Sequence, residues 1–516
     1  EADRPFYDNI DYSVKTVNIV NYGAKGDGTT DDGRAVTAAV NALLKSGPGS
    51  KLVFESGKTY YVGSGLGTFA MALFNLQKCK GLTVDGKGST FILGTNKPYS
   101  YLSGTKECVI ENCTFRYARN PAFSATCNSV NAEEGWAEMT ADRDIGLATA
   151  ETYAPPEGTT YFGVLNRSDS RYHLYIKKYE MINAGKRTFK IYFDMERDYT
   201  ADWVKNYLST YGMICPTPKI GHLTVETAFS AVGNTNLTLS NININSCYKF
   251  GMFIGNNEGT LKLDNVNFVP ADGEINFTGW RDAFHVKDNR CKILWSGCIA
   301  KGNYDDAINI SSSALKVTEY SAETKEISLV WNERTNGIYY EIKPGDTLNV
   351  IDTSTGVDCG NVKVESVIKQ SDGVNRVVLK SSLKNISSLD NLIAYFTNRC
   401  APDSVIDNCD FSGTFRFRGP LTVENTKIFN MRTWIDIEGK IEGPVPQNIS
   451  FKNCDIQAGS GSTIIINSYN NTNGYGVKNI TFENCIFEDS TLSIGKNDKV
   501  RIISCKRHDG SSIANR

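Results

Sequence analysis

Three aspartates carry the spacing that a carboxylate site requires. Asp282 lies in RDAFHV, and Asp305 and Asp306 form an adjacent pair 23 and 24 residues later, in NYDDAINI. That separation is about one turn of a repeat that runs through the chain. If the repeat is a coil of stacked strands, neighbouring rungs lie ~4.8 Å apart and the three acids meet on one face. Like charges crowded in this way raise one another's pKa, an arrangement that costs stability unless a shared proton is useful. The chemistry it suits is glycoside hydrolysis, in which one acid protonates the leaving oxygen and another carboxylate attacks or activates water. A pair of turn aspartates and a surface aspartate is the ordinary alternative.

Other catalytic designs are missing from the sequence. It holds no Gly-x-Ser-x-Gly elbow and no His-Glu-x-x-His. Its four histidines, His173, His222, His285 and His508, are not spaced as a metal cluster. There is no C-x-x-C pair for zinc or redox work and no EF-hand loop for calcium, so no metal or cofactor is expected. His285, three residues after Asp282, is a candidate substrate contact, although strand alternation would turn the two to opposite faces. Trp280, Trp295, Trp434 and Tyr304 are candidates for stacking on a sugar, with core packing as the competing role.

The elements that must position these residues are legible as a repeat. GLTVDGKGSTFIL and ECVIENCTFRY are followed, after a long interruption, by NLTLSNININSC, TLKLDNVNFVP, KILWSGCIAKG, SVIDNCDFSGT, NISFKNCDIQAG and NITFENCIFEDS. The unit is an alternating strand, a polar turn with Asn or Gly, then a second short strand. Most copies lie roughly 22 to 32 residues apart, the signature of a parallel β-helix whose bore Val, Ile, Phe and Cys would fill. The expected fold is therefore all-β: a right-handed parallel β-helix with an N-terminal capping helix and two β-rich inserted subdomains, one a small β-barrel.

The chain divides accordingly. Residues 1–115 read as cap and first coils, 116–232 as a β-rich insertion and 233–313 as the central coils with the aspartates. Residues 314–396 read as a barrel-like insertion and 397–516 as the last coils. In the cap, Ala35/Val36, Ala39/Val40 and Leu43/Leu44 make a helical apolar stripe, with Asp31 and Asp32 placed to favour its N-terminus. Insertions on a solenoid map to one face, often the binding face, and two of them could wall a pocket that favours cleavage at chain ends.

With 55 basic and 57 acidic residues, no pull toward nucleic acid is written into the chain, and no apolar run approaches a membrane span. The expected partner is carbohydrate; the oligomeric state stays open, with a homodimer among the options. Glu1 opens without a leader-like segment, as a mature chain starting after cleavage would. Of the fourteen cysteines, Cys113, Cys409, Cys454 and Cys485 recur in one context and read as stacked buried thiols. A stray bridge, Cys108 to Cys113 or Cys291 to Cys298, is the exception allowed for.

GAKGDGTTDD followed by a helix is similar to the opening of the pectate-lyase-like β-helix superfamily. The centre resembles the family 110 glycoside hydrolases, exo-acting α-1,3-galactosidases of bacteria. RDAFHV, CKILWSGC, NYDDAINI, a barrel containing KPGD, and FRFRGPL match in order and spacing, from about Asn236 to Cys485. The resemblance implies a secreted, periplasmic or cell-surface, metal-independent, inverting hydrolase that removes a terminal α-linked galactose. It makes Asp282, Asp305 and Asp306 the catalytic acids, with Asp282 as proton donor and Asp305 or Asp306 activating water. His285, Tyr304, Asn309, Arg416 and Arg418 become substrate-binding candidates, and Trp434 and Glu438 follow from a loosely echoed Trp-Glu-Ser-Gly segment. After the Asp-Asp pair the family continues Asn-Val-His-Gly, whereas here Asn309-Ile310-Ser311-Ser312 stands, so one sugar-touching histidine is missing. The alternatives are another β-helix carbohydrase of different specificity, or a non-catalytic carbohydrate-binding β-helix.

Overall fold

The computed structural model describes residues 11–515 apart from 68–69, 168–172, 197–199, 221–224, 332–340, 371–372, 430–431, 434–441, 459–462, 467–476, 489–490 and 496–498. The fold is the expected all-β right-handed parallel β-helix with two inserted β-rich subdomains. One long parallel sheet runs from Thr16–Asn18 to Val500–Ile503 and supplies the back of almost every rung. Neither insertion interrupts it: Val109–Tyr117 pairs directly with Thr238–Ile244, and Lys292–Ser296 with Ser404–Asp407.

The turns explain the asparagines. Asn112, Asn241, Asn265, Asn408, Asn425, Asn453 and Asn484 all have φ between 50° and 58°, the left-handed region that Asn tolerates better than other non-glycine residues. Their side chains bond along the axis, Asn241 Nδ2 donating to Asn112 Oδ1 at 3.0 Å and Asn425 Nδ2 to Asp407 Oδ1 at 2.8 Å. A second ladder is buried. The Asn234 amide donates to Asn257 Oδ1 at 2.8 Å and the Asn257 amide to Asn289 Oδ1 at 3.0 Å, fixing the corner that follows the site-bearing strands. All fourteen cysteines are free, and all but the half-buried Cys127 are buried, as rung-filling hydrophobes should be. Cys79 and Cys108 lie in contact, Sγ to Sγ 3.7 Å, and neither bridge allowed for above forms.

Helix α1 (Gly33–Leu44) buries Val36, Ala39, Val40, Leu43 and Leu44 against the first coil. Its two aspartates divide the work. Asp31 accepts from the amide of Gly33 at the helix start and from those of Gly63 and Gly65, tying the N-terminus to a later loop, while Asp32 accepts from the Lys25 and Gly26 amides of the preceding loop and makes no side-chain cap.

The first insertion closes into a barrel as well. Ala122–Asn131, Trp136–Ala141, Thr188–Phe193, His173–Asn183, Phe162–Leu165 and Met213–Pro216 pair antiparallel in a ring, with helix α2 (Ala201–Tyr211) outside it. The second insertion is a closed six-stranded barrel from Leu315 to Phe396.

A shorter parallel sheet forms the face that matters for function. Its strands are β1 (Phe74–Gln77), β2 (Ser100–Ser103), β3 (Thr227–Val232), β4 (Phe250–Gly255), β5 (Phe284–Lys287), β6 (Asp306–Ser313) and β7 (Thr414–Arg416). Each pairs with the next. A two-residue strand, β8 (Glu442–Gly443), crosses the far end of β6 antiparallel at Ser312 and Ser313.

Candidate active site

Strand alternation sorts the side chains of this sheet. Met252, Phe284, Ile308 and Phe415 fill the bore, so their successors Phe253, His285, Asn309 and Arg416, in register with one another, stand in one row on the outer face. Lys287 and Ser311 form the next row.

Asp282 and Asp306 lie at the mouths of β5 and β6. The Gly251 amide donates to the Asp282 carbonyl at 2.8 Å, and the Ala283 amide to the Asp306 carbonyl at 3.0 Å, so the two occupy successive rungs. One oxygen from each of Asp282, Asp305 and Asp306 lies within 4.8 Å of the others. Asp282 and Asp306 are 3% and 2% exposed, and Asp305 is half-buried with its carboxylate 3.0 Å from an Arg281 guanidinium nitrogen. Arg416 Nε lies 2.9 Å from Asp306. Three convergent carboxylate oxygens have the reach of a cation site, but the two guanidinium groups already supply counter-charge here.

Burial pushes the Asp282 carboxyl up, Asp305 adds to the rise, and His285 and Arg416 only partly offset it. Burial raises Asp306 further, with Asp282, Asp305 and Glu442 adding and Arg416 opposing. The site therefore keeps a proton on its buried pair well above the ordinary carboxylate range. His285 Nδ1 contacts Asp282 Oδ2 at 2.7 Å, so alternation does not separate these two. Asp282 precedes the first residue of β5, in the bend entering the strand, where period-2 geometry does not yet hold.

Glu442 is the residue that the sequence reading missed. Asn309 Nδ2 donates to its Oε2 at 3.2 Å, Arg416 and Lys287 approach at 3.6 and 3.7 Å, and His285 Nε2 at 4.0 Å. Burial opposes its ionisation, but Lys287, His285, Arg416 and Arg418 outweigh that and pull the carboxyl down to about 2. It falls in the long gap between the repeat copies KIFNM and NISFKN, where no period flags a residue. An acid beside Gly-Pro in that gap was the one available signal.

Other candidates occupy different places. Tyr304 and Trp280 are buried with Phe277 against Phe162, Val164 and Ile214 of the first barrel, and Trp295 is buried in the bore, so none offers a face to a sugar. Large rings at these positions are worth more as packing than as platforms. Arg418 is 1% exposed, close to Glu442, Tyr395 and Cys400, and acts on Glu442 rather than on a ligand. Arg416 and Asn309 do line the face, and Asn309 Oδ1 is buried without a hydrogen-bond partner among the described residues. Trp434 and Glu438 lie outside the described residues.

Each barrel holds one side of this constellation. Phe162, Phe277 and Trp280 pack at ring distances of 4.8 to 5.6 Å and fix the segment that delivers Arg281 and Asp282. His173 Nε2, from the same barrel, bonds the Tyr304 carbonyl at 2.9 Å, next to Asp305. On the other side, Tyr395 of the second barrel presses on Gly443, where a Cβ would come within 2.3 Å of the ring; only glycine lets the strap carrying Glu442 lie flat on β6.

No family model matches the chain. It is 23% identical over 438 residues to alpha-1,3-galactosidase A of Shewanella woodyi, covering 80% of this chain and 69% of that protein. Among solved structures it is similar to the Thermotoga maritima exopolygalacturonase (TM-score 0.41, 11% identity, 98% of this chain and 95% of that one). It is also similar to the Azotobacter vinelandii mannuronan C-5 epimerase AlgE4 A-module (TM-score 0.40, 10% identity, 95% of each chain). In sequence the chain thus resembles an α-1,3-galactosidase.

Proposed function

We propose that the protein is an exo-acting, inverting glycoside hydrolase that removes a terminal α-linked galactose-type sugar from a glycan, and that it works outside the cytoplasm. The coarser part, a carbohydrate-active enzyme of glycosidase type, is supported by the similarity to the α-1,3-galactosidase. The observation that carries the hydrolytic step is the triad itself: three carboxylates with oxygens inside 4.8 Å, the two buried ones raised above the ordinary carboxylate range. One protonated and one ionised carboxyl is the state needed to donate to a glycosidic oxygen while activating water.

Exo action draws support from the polarity of the row. Beyond the triad, Asn309, Arg416, Lys287 and Glu442 make a polar end closed by β8, suited to the hydroxyls of a terminal sugar. Inversion rests on the resemblance rather than on this spacing, since inverting pairs are usually ~6.5–9.5 Å apart.

The test is hydrolysis of para-nitrophenyl α-galactoside and α-1,3-galactobiose by wild type beside Asp306→Asn, with the first-formed anomer followed by NMR. Release of β-galactose by wild type alone is expected. α-Galactose first would replace inversion by retention, and silence on both substrates would overturn the galactoside. Asn variants of all three aspartates, compared on an aryl leaving group that needs no protonation, assign the roles. The acid's variant keeps that activity and loses the disaccharide.

A further inference from the structure

The outer row of the sheet does not stop at the triad. Continued in register through four more rungs from His285 it reads Phe253, Ser230, Tyr101 and Asn75. Phe253 and Tyr101 are half-buried on the outer face, while their strand neighbours Met252, Ile254 and Leu102 are in the bore. The Phe253 ring lies against His285, centroids 5.5 Å apart and planes 21° from parallel, so its other face turns toward the Ser230 rung. Serine is the one small residue in an otherwise bulky stretch. Two rungs separate the aromatic side chains, ~9.6 Å at the usual strand spacing. A ring in van der Waals contact on both faces needs ~7–8 Å. At that spacing the gap over Ser230, itself only 9% exposed, has room for one sugar ring, and its row runs on to His285 beside Asp282.

We infer that the slot between Tyr101 and Phe253, over Ser230, holds a sugar of the leaving glycan beyond the one at the scissile bond, since it lies two rungs, ~9.6 Å, from the rung of His285 and Asp282. The inference rests on the reading above, that the triad cleaves a glycosidic bond and that the polar end takes the terminal unit. A pyranose presents an apolar C–H face carrying partial positive charge, which the negative face of an aromatic ring attracts. The two ends of the row thereby divide the recognition: hydrogen bonds for the sugar that leaves free, ring faces for the glycan that stays. The ligand class is an oligosaccharide of at least three units, entering along the helix axis from the N-terminal side.

Glycan-array binding by the Asp306→Asn protein tests this, alone and combined with Ser230→Phe, which fills the slot, or Phe253→Ala, which removes one wall. Retention of oligosaccharides by Asp306→Asn is expected, with loss in Ser230→Phe and about tenfold weakening in Phe253→Ala. Thermal melts accompany each variant, and if Ser230→Phe does not fold, Phe253→Ala decides alone. Unchanged oligosaccharide binding in the combined variants overturns the slot, as does retention of free monosaccharides as strong as that of oligosaccharides, or no retention of any glycan. Slot-dependent binding confined to glycans without α-galactose keeps the slot and overturns the galactosidase. Hydrolysis of α-1,3-galactobiose with slot-independent binding does the reverse.

Discussion

The first barrel meets the β-helix chiefly through rings, with Phe162, Phe277, Trp280 and Tyr304 in one buried cluster, flanked by an Arg143–Glu274 pair at the rim and the His173 bond to the Tyr304 carbonyl. The second meets it through charge. Asp346, 3% exposed, faces Arg290 and the fully buried Arg399 and accepts from Asn398 Nδ2 at 2.8 Å, while buried Asp288 accepts from the Ser313 amide at 2.7 Å at the barrel's root. The acid-bearing segments are thus held chiefly by apolar packing, which does not titrate. The strap with Glu442 is held from a barrel moored by carboxylates. A site whose acids must change protonation is better fixed by contacts indifferent to pH, and the part that binds hydroxyls tolerates charged moorings.

Trp280→Ala breaks the apolar grip and carries the largest effect. Truncating a fully buried tryptophan costs about 3–5 kcal/mol, and the loss of Asp282 placement should remove activity along with it. Trp280→Phe keeps most of the ring contact and should restore part of both. Denaturant midpoints measured beside kcat check this; an inactive but fully stable Trp280→Ala would mean that the tryptophan serves the site by another route.

Asp346→Ala breaks the polar grip. It leaves the buried Arg399 without this carboxylate and the half-buried Arg290 with that of Glu258, a loss of about 3 kcal/mol. Because Asp346 is moored to the second barrel and not to the triad, KM should rise more than kcat falls. Equal effects on both would show that the two barrels do not act on separate parts of the site.

How far this division was legible in the sequence follows from periodicity. The Asn turns, the Cys and Phe rungs and the stripe of α1 repeat, and repetition is what sequence carries about a solenoid. The in-register row from Tyr101 to Arg416 was not visible, because it depends on which strands become neighbours after two insertions are bridged, and the polar corner Asn234–Asn257–Asn289 lies outside the apolar unit by which the repeat is read. Tyr304 and Trp280 carried an aromatic signal in the right segment, and only the packing of the first barrel shows that it is spent on the fold. Glu442 sits where the repeat lapses, so no pattern marked it.

Glu442→Gln sharpens the comparison by pH. The carboxyl lies at about 2 in the fold against an ordinary 4.5, so its stabilising contribution is present above pH 4.5 and lost as pH falls through about 2. The variant should be less stable than wild type at neutral pH, by about 2 kcal/mol given the buried Lys287 and Arg418 and the half-buried Arg416 left less compensated. That gap should close toward acid. A gap independent of pH would assign Glu442 a steric role.

Asp306→Asn should do the opposite, and by less. The Asp306 pKa is raised in the fold, so wild-type stability is fully present below the ordinary 3.8 and declines as pH rises toward the folded value. Asparagine removes the charge that burial disfavours, while Arg416 retains Glu442 as its partner. The variant should therefore be on the order of 1 kcal/mol more stable than wild type at neutral pH, equal to it below about pH 4, and roughly 100-fold or more slower. Thermal melts from pH 3.5 to 8 read this directly. A variant that is slower and also less stable at neutral pH would place Asp306 among the moorings, on the side of Asp346, rather than among the groups whose buried charge is held for use.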